Sequence, residues 1–311
     1  MDEISASRRS MARPLIWVGI ASILAVLGVG FGLWWVSRPG VRVAPAGVAL
    51  DGKIHVLGGE RRVFKTADRI HSVYDPVQRV WGYRAPMRVS RMFHAAVEHD
   101  GHLFVLGGLN GSVGFLAGAE EYDPKDDRWS ACPNLPTPRN RLSAAVVAGR
   151  IYAIGGMDAA GNSRAVEAYD TSQRRWTRRA DLPTARHGHV ALTFGGRIYV
   201  LGGYAPEPCA TVEIYDPEQD RWSAGPALAV ARGFFGAAVI GARIVVVGGQ
   251  IPQPAPTEIL EDGRWRLGAP IPVPRSRFAC AALGERVYVL GGEGEQVQRV
   301  LVYNSSGDAW E

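Results

Sequence analysis

Lysine, cysteine and catalytic signature motifs are what this chain has least of. Among its 35 basic residues only Lys53, Lys65 and Lys125 are lysine, a bias we read as the codon habit of a GC-rich genome. The formal net charge is +5, and the first 40 residues hold four of the basic and two of the 30 acidic side chains, leaving +3 for the rest. So mild a balance gives no electrostatic footprint for nucleic acid, and no such partner is expected. Cys132, Cys209 and Cys280 fall at different points of their surroundings. They make neither a disulfide framework nor a metal spacing, and they say little about redox compartment. There is no G-x-S-x-G elbow and no Walker A loop. His55, His71, His94, His99, His102, His187 and His189 supply no third ligand at a matching spacing. His187 and His189, two apart, are expected on one side of an extended strand, but two ligands do not make a zinc or copper site. No metal and no cofactor are expected.

What the chain does have is one phrase written six times. An apolar run ends in Gly-Gly, and a Tyr and then a Trp follow. The glycine pairs are Gly58-Gly59, Gly107-Gly108, Gly155-Gly156, Gly202-Gly203, Gly248-Gly249 and Gly291-Gly292, spaced by 49, 48, 47, 46 and 43 residues. Such a period marks units that cannot bury a core alone and must stack on neighbours. In the second copy, Phe93–Glu98 and His102–Leu106 are apolar runs joined by Asp100-Gly101, a strong hairpin signal because both turn residues need positive φ. Ala119–Tyr122 and Arg128–Ala131 supply two more short strands. Four strands per unit without helical periodicity predict one propeller blade. Tyr and Trp stand seven apart in Tyr74/Trp81, Tyr122/Trp129, Tyr169/Trp176, Tyr215/Trp222 and Tyr303/Trp310; the fifth unit has Leu260 and Trp265 instead.

An arginine precedes every glycine pair by sixteen residues: Arg42, Arg91, Arg139, Arg186, Arg232 and Arg275. A position filled in all six units reads as architecture, a structural ring, with Glu120, Glu167, Glu213 and Glu258 as natural partners. With the leading Arg, the Gly-Gly, the Tyr-Asp-Pro and the Trp all in phase over residues 42–311, the sequence resembles the Kelch repeat, in a bacterial-type, membrane-anchored form. The resemblance implies an all-β fold, a six-bladed β-propeller with strands a to d per blade and strand a innermost. The last unit ends at Trp310-Glu311 with a shortened outer strand. The ring is then expected to close by packing of blade one against blade six, the weakest junction.

Before the repeats come a basic tail, residues 1–13, and Pro14–Val36, 23 residues without a charge. That is long enough for a bilayer core, which needs about 20 helical residues. Trp17, Trp34 and Trp35 sit where interfacial aromatics belong. We read 14–36 as a transmembrane signal anchor, 37–41 as a linker and 42–311 as the propeller. The expected product is a single-pass membrane protein with an extracytoplasmic propeller. The linker leads to the d–a and b–c loop face and is expected to hold that face near the bilayer.

Binding residues are sought where the units differ, because repeated positions are scaffold. Two residues beyond each ring arginine stand Ala44, Phe93, Arg141, Gly188, Phe234 and Arg277, and one residue beyond it Asn140, His187 and Ser276. After the glycine pairs come Arg62, Asn110, Asp158, Tyr204, Gln250 and Glu293. Arg forks bind carboxylates and phosphates bidentately. The candidate site is therefore Arg62, Asn110, Asn140, Arg141, Asp158, His187, Tyr204, Gln250, Ser276, Arg277 and Glu293, for an anionic, protein or carbohydrate ligand. No catalytic residue is assigned. The resemblance also admits an extracytoplasmic sugar epimerase (a sialic-acid-type mutarotase), in which Arg141 or Arg277 would act with Glu293 or His187.

Overall fold

The computed structural model describes residues 42–61, 65–250 and 256–311, all within the compact unit that runs from Pro39 to Glu311. The expected basic tail, membrane anchor and linker, and Arg62, lie outside the described residues. Among the described residues no helix is long and apolar enough to cross a membrane.

The structure is all β. Each unit folds as four consecutive antiparallel strands, and there are six such sheets among the described residues. The second is representative: Ala95–His99, His102–Leu106, Ala119–Asp123 and Arg128–Cys132, paired in that order. Asp100 and Gly101 both take positive φ at its first turn, as a two-residue hairpin requires. The first strands, Ala46–Leu50, Ala95–His99, Ser143–Val147, Val190–Phe194, Gly236–Ile240 and Ala279–Leu283, pack against one another in a cycle. Their small residues allow this: a Cβ on Gly47 would lie 2.9 Å from Ala279 of the sixth sheet. Apolar residues of the second strands, among them Val105, Val200 and Val245, are fully buried between sheets. The core is therefore divided among the junctions rather than gathered in one place.

Two boundaries differ from expectation. The innermost strands begin four residues after the ring arginines. Arg42-Val43 pairs with Glu60-Arg61 in a separate small sheet, and Phe93 precedes the strand it was assigned to. The cause is a sharp bend: Ala44, Phe93, Arg141, Gly188, Phe234 and Arg277 all lie in the left-handed region, φ 51–60°. The same bend corrects the reading of His187 and His189. Gly188 turns the chain between them, so they share no strand face.

That bend closes the molecule. Each bent residue donates its backbone N–H to the carbonyl of its counterpart in the preceding sheet: Phe93 to Ala44, Arg141 to Phe93, Gly188 to Arg141, Phe234 to Gly188, Arg277 to Phe234, and Ala44 back to Arg277, at 2.7–3.2 Å. A second cycle runs outside it. The second glycine of each pair donates to the carbonyl of the next sheet's ring arginine, from Gly59 to Arg91 round to Gly292 to Arg42, at 2.8–3.0 Å. At Gly107 an added Cβ would meet the Arg139 carbonyl at 2.6 Å, which explains the glycine.

The ring arginines are buried in all six sheets. Four meet the expected carboxylates: Arg91 with Glu120, Arg139 with Glu167 at 2.7 Å, Arg186 with Glu213 at 3.1 Å and Arg232 with Glu258 at 2.7 Å. Arg42 instead donates to Ser72 Oγ, and Arg275 to the carbonyls of Gln296 and Arg299. Burial pushes both of these guanidinium groups down to about 10. Farther out, Trp129, Trp176, Trp222, Trp265 and Trp310 donate Nε1 to the linker that precedes their own sheet, at 2.8–3.0 Å. Trp81 has no such partner among the described residues. It lines a cleft of about 360 Å³ between the first and sixth sheets with Tyr74, Arg79, Tyr288 and Val302.

Candidate functional site

The inner cycle brings six residues, five of them with side chains, to the axis at one mouth of the ring. Their order is small, Phe, Arg, then small, Phe, Arg: Ala44, Phe93, Arg141, Gly188, Phe234, Arg277. Like residues therefore stand opposite one another. The Phe93 and Phe234 rings approach to 6.0 Å between centroids. The Arg141 guanidinium lies 5.0 Å from the Phe93 centroid and 5.6 Å from that of Phe234; Arg277 lies 5.7 and 4.7 Å from the same two. These are cation–π distances. The group lines a cavity of about 110 Å³, floored by His94, Leu142, His189, Phe235 and Phe278.

Five of the six axial residues are not glycine and yet hold positive φ, which is uncommon, and a true outlier for a bulky side chain. Such strain persists where surroundings over-determine it, often at ligand sites. Here the hydrogen-bonded cycle holds it.

The two arginines differ in partner. Arg277 donates to Glu293 Oε1 at 2.8 Å. Arg141 donates to Met157 Sδ at 3.1 Å and meets no carboxylate among the described residues. Burial first, and then repulsion from Arg277, lower the Arg141 guanidinium from its usual value. Nε of both arginines is buried without a hydrogen-bond partner. The mouth thus holds two guanidinium groups and one carboxylate on an aromatic base.

An aromatic lane continues from it. His187 stacks on Tyr204 at 5.3 Å and 14°, and both rings approach Phe234. Gly233 leaves the space, since a Cβ there would fall 2.1 Å from the Tyr204 ring. Tyr204 OH donates to Gln250 Oε1 at 2.7 Å, and His187 Nδ1 lies 2.7 Å from Asn162 Oδ1. Burial, then Arg141, then Arg277 lower His187 to about 4.

Of the residues singled out by sequence, the fold brings Arg141, His187, Tyr204, Gln250, Arg277 and Glu293 together. Asn110 donates to Ser90 O, in the segment before its own sheet, and accepts from Ser112 N, while Asp158 accepts from Ala160 N within its own loop. Asn140 and Ser276 are buried below the surface. Sequence reasoning missed Phe93, Phe234 and Asn162 as site residues. For the two Phe the signal was present, since the small–Phe–Arg order recurs twice at one repeat position. For Asn162 there was none, because it lies in a loop of variable length.

Four-stranded sheets cycling about an axis, with their variable residues gathered at one mouth, define a β-propeller scaffold. The chain belongs to the Kelch-repeat family: residues 45–249 match the profile described as the KLHDC2/KLHL20/DRC7 Kelch-repeats domain, and residues 274–311 match the Kelch motif. Among curated proteins it is similar to Kelch-like protein 40 of Mus musculus, 34% identical over 103 residues, covering 33% of this chain and 16% of that protein. It is also similar to the F-box/kelch-repeat protein SKIP30 of Arabidopsis thaliana, 36% identical over 105 residues, covering 33% and 29%. The matched stretch thus spans less than a third of either relative's length. Among solved structures it resembles that of YjhT, with a TM-score of 0.74 over 88% of this chain and 98% of that one. At 14% identity this likeness is one of fold.

Proposed function

We propose that the chain is a six-bladed, membrane-tethered Kelch binding module that takes an anionic group of its partner at the axial mouth of the loop face. The observation that carries this is the pairing at the mouth: two guanidinium groups on opposite sides of the axis, with Glu293 engaging only Arg277. Arg141 is the open position. Its planar fork suits a carboxylate or phosphate, and the Phe93 and Phe234 rings hold it in place. Kelch-repeat proteins are in general protein-binding scaffolds, so an acidic side chain of a partner protein is the ligand we favour. A sugar epimerase would need an acid/base pair free to reach its substrate, whereas the carboxylate of the mouth, Glu293, is held by Arg277 at 2.8 Å. The six-blade reading draws support from the two closed hydrogen-bond cycles. The tether and the extracytoplasmic placement rest on the apolar segment 14–36 and its flanking arginines.

Arg141→Ala tests the site. It should weaken binding of inorganic sulfate and of a short polyglutamate peptide about tenfold or more, the worth of a charged hydrogen bond, with an unchanged thermal midpoint. Equal affinity would remove Arg141 from the site. The tether is checked separately by protease protection: the propeller should resist digestion from the cytosolic side of sealed membranes.

A further inference from the structure

His187 shares the Phe234 ring with the two arginines, its own ring 5.8 Å from that centroid and their guanidinium groups 5.6 and 4.7 Å from it, and its protonation pattern is fixed by geometry. Asn162 Nδ2 donates to the Tyr204 carbonyl at 3.2 Å, an atom that can only accept. That orients the amide so that Oδ1, an acceptor, faces His187 Nδ1. Nδ1 must therefore carry the hydrogen, and in the neutral ring Nε2 holds a lone pair. No described residue bonds Nε2. The charges around the ring are Arg141, from the lead-in to the third sheet, and Arg277, from the lead-in to the sixth. On its own segment, Arg186 is neutralised by Glu213, and His189 is buried and neutral. Tyr204 faces it as a neutral phenol, its ionisation raised by burial. Glu293 lies against Arg277.

In the free protein the two guanidinium groups oppose a third positive charge. An anion seated between them reverses that field. We propose that His187 is the proton-coupled third contact of the anion site: an anion bound at Arg141 and Arg277 draws a solvent proton onto His187 Nε2, which then donates to the anion, so the site tightens as pH falls. This rests on the anion-site reading above and adds to it a direction of pH dependence and a residue that carries it. By linkage, a group that binds protons more tightly in the complex must strengthen the complex wherever those protons are taken up. The free ring stays neutral down to about pH 4. If the bound ring titrates near the ordinary histidine value, affinity rises about tenfold between pH 7.5 and 5.5.

Inorganic sulfate is the probe, because its own charge is constant over this range. Titration calorimetry on the full chain at pH 7.5 and 5.5 should show that gain, and His187→Gln should collapse the ratio between the two pH values towards one. Repeating the wild-type titration near pH 6 in two buffers of different ionisation heat reads proton uptake directly and needs no variant. Net uptake supports the proposal. Sulfate that binds with the same affinity at both pH values and without proton uptake overturns it while leaving the anion site standing. Sulfate that binds at neither pH removes the anion site and this inference together.

Discussion

Arg139 and Arg275 occupy equivalent buried places with different partners, and the difference has consequences. Replacing Arg139 by Met removes the closest charge partner of the Glu167 carboxylate, which is only 1% exposed and keeps just Thr137 Oγ1 and the more distant Arg178 at 3.7 Å. Breaking a buried pair in this way costs about 3–5 kcal/mol. Arg275 faces only carbonyl oxygens. Its loss strands no charge, and Arg275→Met should cost about 1–3 kcal/mol, the penalty for unpaired polar atoms. Urea unfolding of the two variants measures this, and equal losses would overturn the account. The sequence made the ring visible as a sixteen-residue spacing and named four of its acidic partners. It named no acid for Arg42 and Arg275, because the repeat position of the glutamates holds Ser72 in the first unit and Leu301 in the sixth, and their other acceptors are backbone carbonyls.

One step along each unit is the residue that plugs the gap between neighbouring sheets. His94, Leu142, His189, Phe235 and Phe278 close on Gly58, Gly107, Gly155, Gly202 and Gly248 of the preceding sheet. Both ring nitrogens of His94 and His189 are buried without partners, so these two do an apolar residue's work at a polar residue's cost. The variants His94→Phe and His189→Phe should each stabilise the fold by about 1–2 kcal/mol at pH 7. Their effect on acid stability has a definite sign. Burial holds His189 at about 3 and His94 well below the ordinary value of 6.5. Below about pH 6.5 the unfolded chain takes up protons that the folded one refuses. Stability therefore falls as pH drops, by up to about 1.4 kcal/mol per pH unit for each histidine, and is independent of them above that value. His55 and His71, buried as a hydrogen-bonded pair and lowered to about 4 and 3, act in the same direction. Thermal midpoints from pH 7 to 5 should fall less steeply in the double Phe variant. An unchanged slope would show that these rings are not the acid-labile elements.

At the scale of the whole molecule, the junction between the first and sixth sheets is uneven. Near the axis it has the same hydrogen bonds as every other junction, including Ala44 to Arg277 and Gly292 to Arg42. At the rim it lacks the tryptophan clasp among the described residues, and a cleft opens beside Trp81. The expected weak seam is thus confined to its outer half. Hydrogen exchange should find the backbone amides of Ala44 and Gly292 as protected as Arg141 and Gly156, while Val80–Arg84 and Leu301–Asn304 exchange faster than the matching strands of the third and fourth sheets. Uniform protection of all outer strands would count against a weakened rim.

The sequence by itself determined the repeat, its phase, the strands of each unit and the buried arginines, because each is set by local chemistry that recurs: turn glycines, alternating apolar runs, one charge in one place. It also pointed to Arg141 and Arg277 by their departure from neighbours at a shared position. Only the tertiary structure decided that these two face each other across Phe93 and Phe234, that Glu293 engages one of them, and that Asn162 sets the His187 tautomer. Those relations join residues from 16 to 184 positions apart, many of them through loops of unequal length. Closure of the ring brings them together, and no period along the chain encodes that distance.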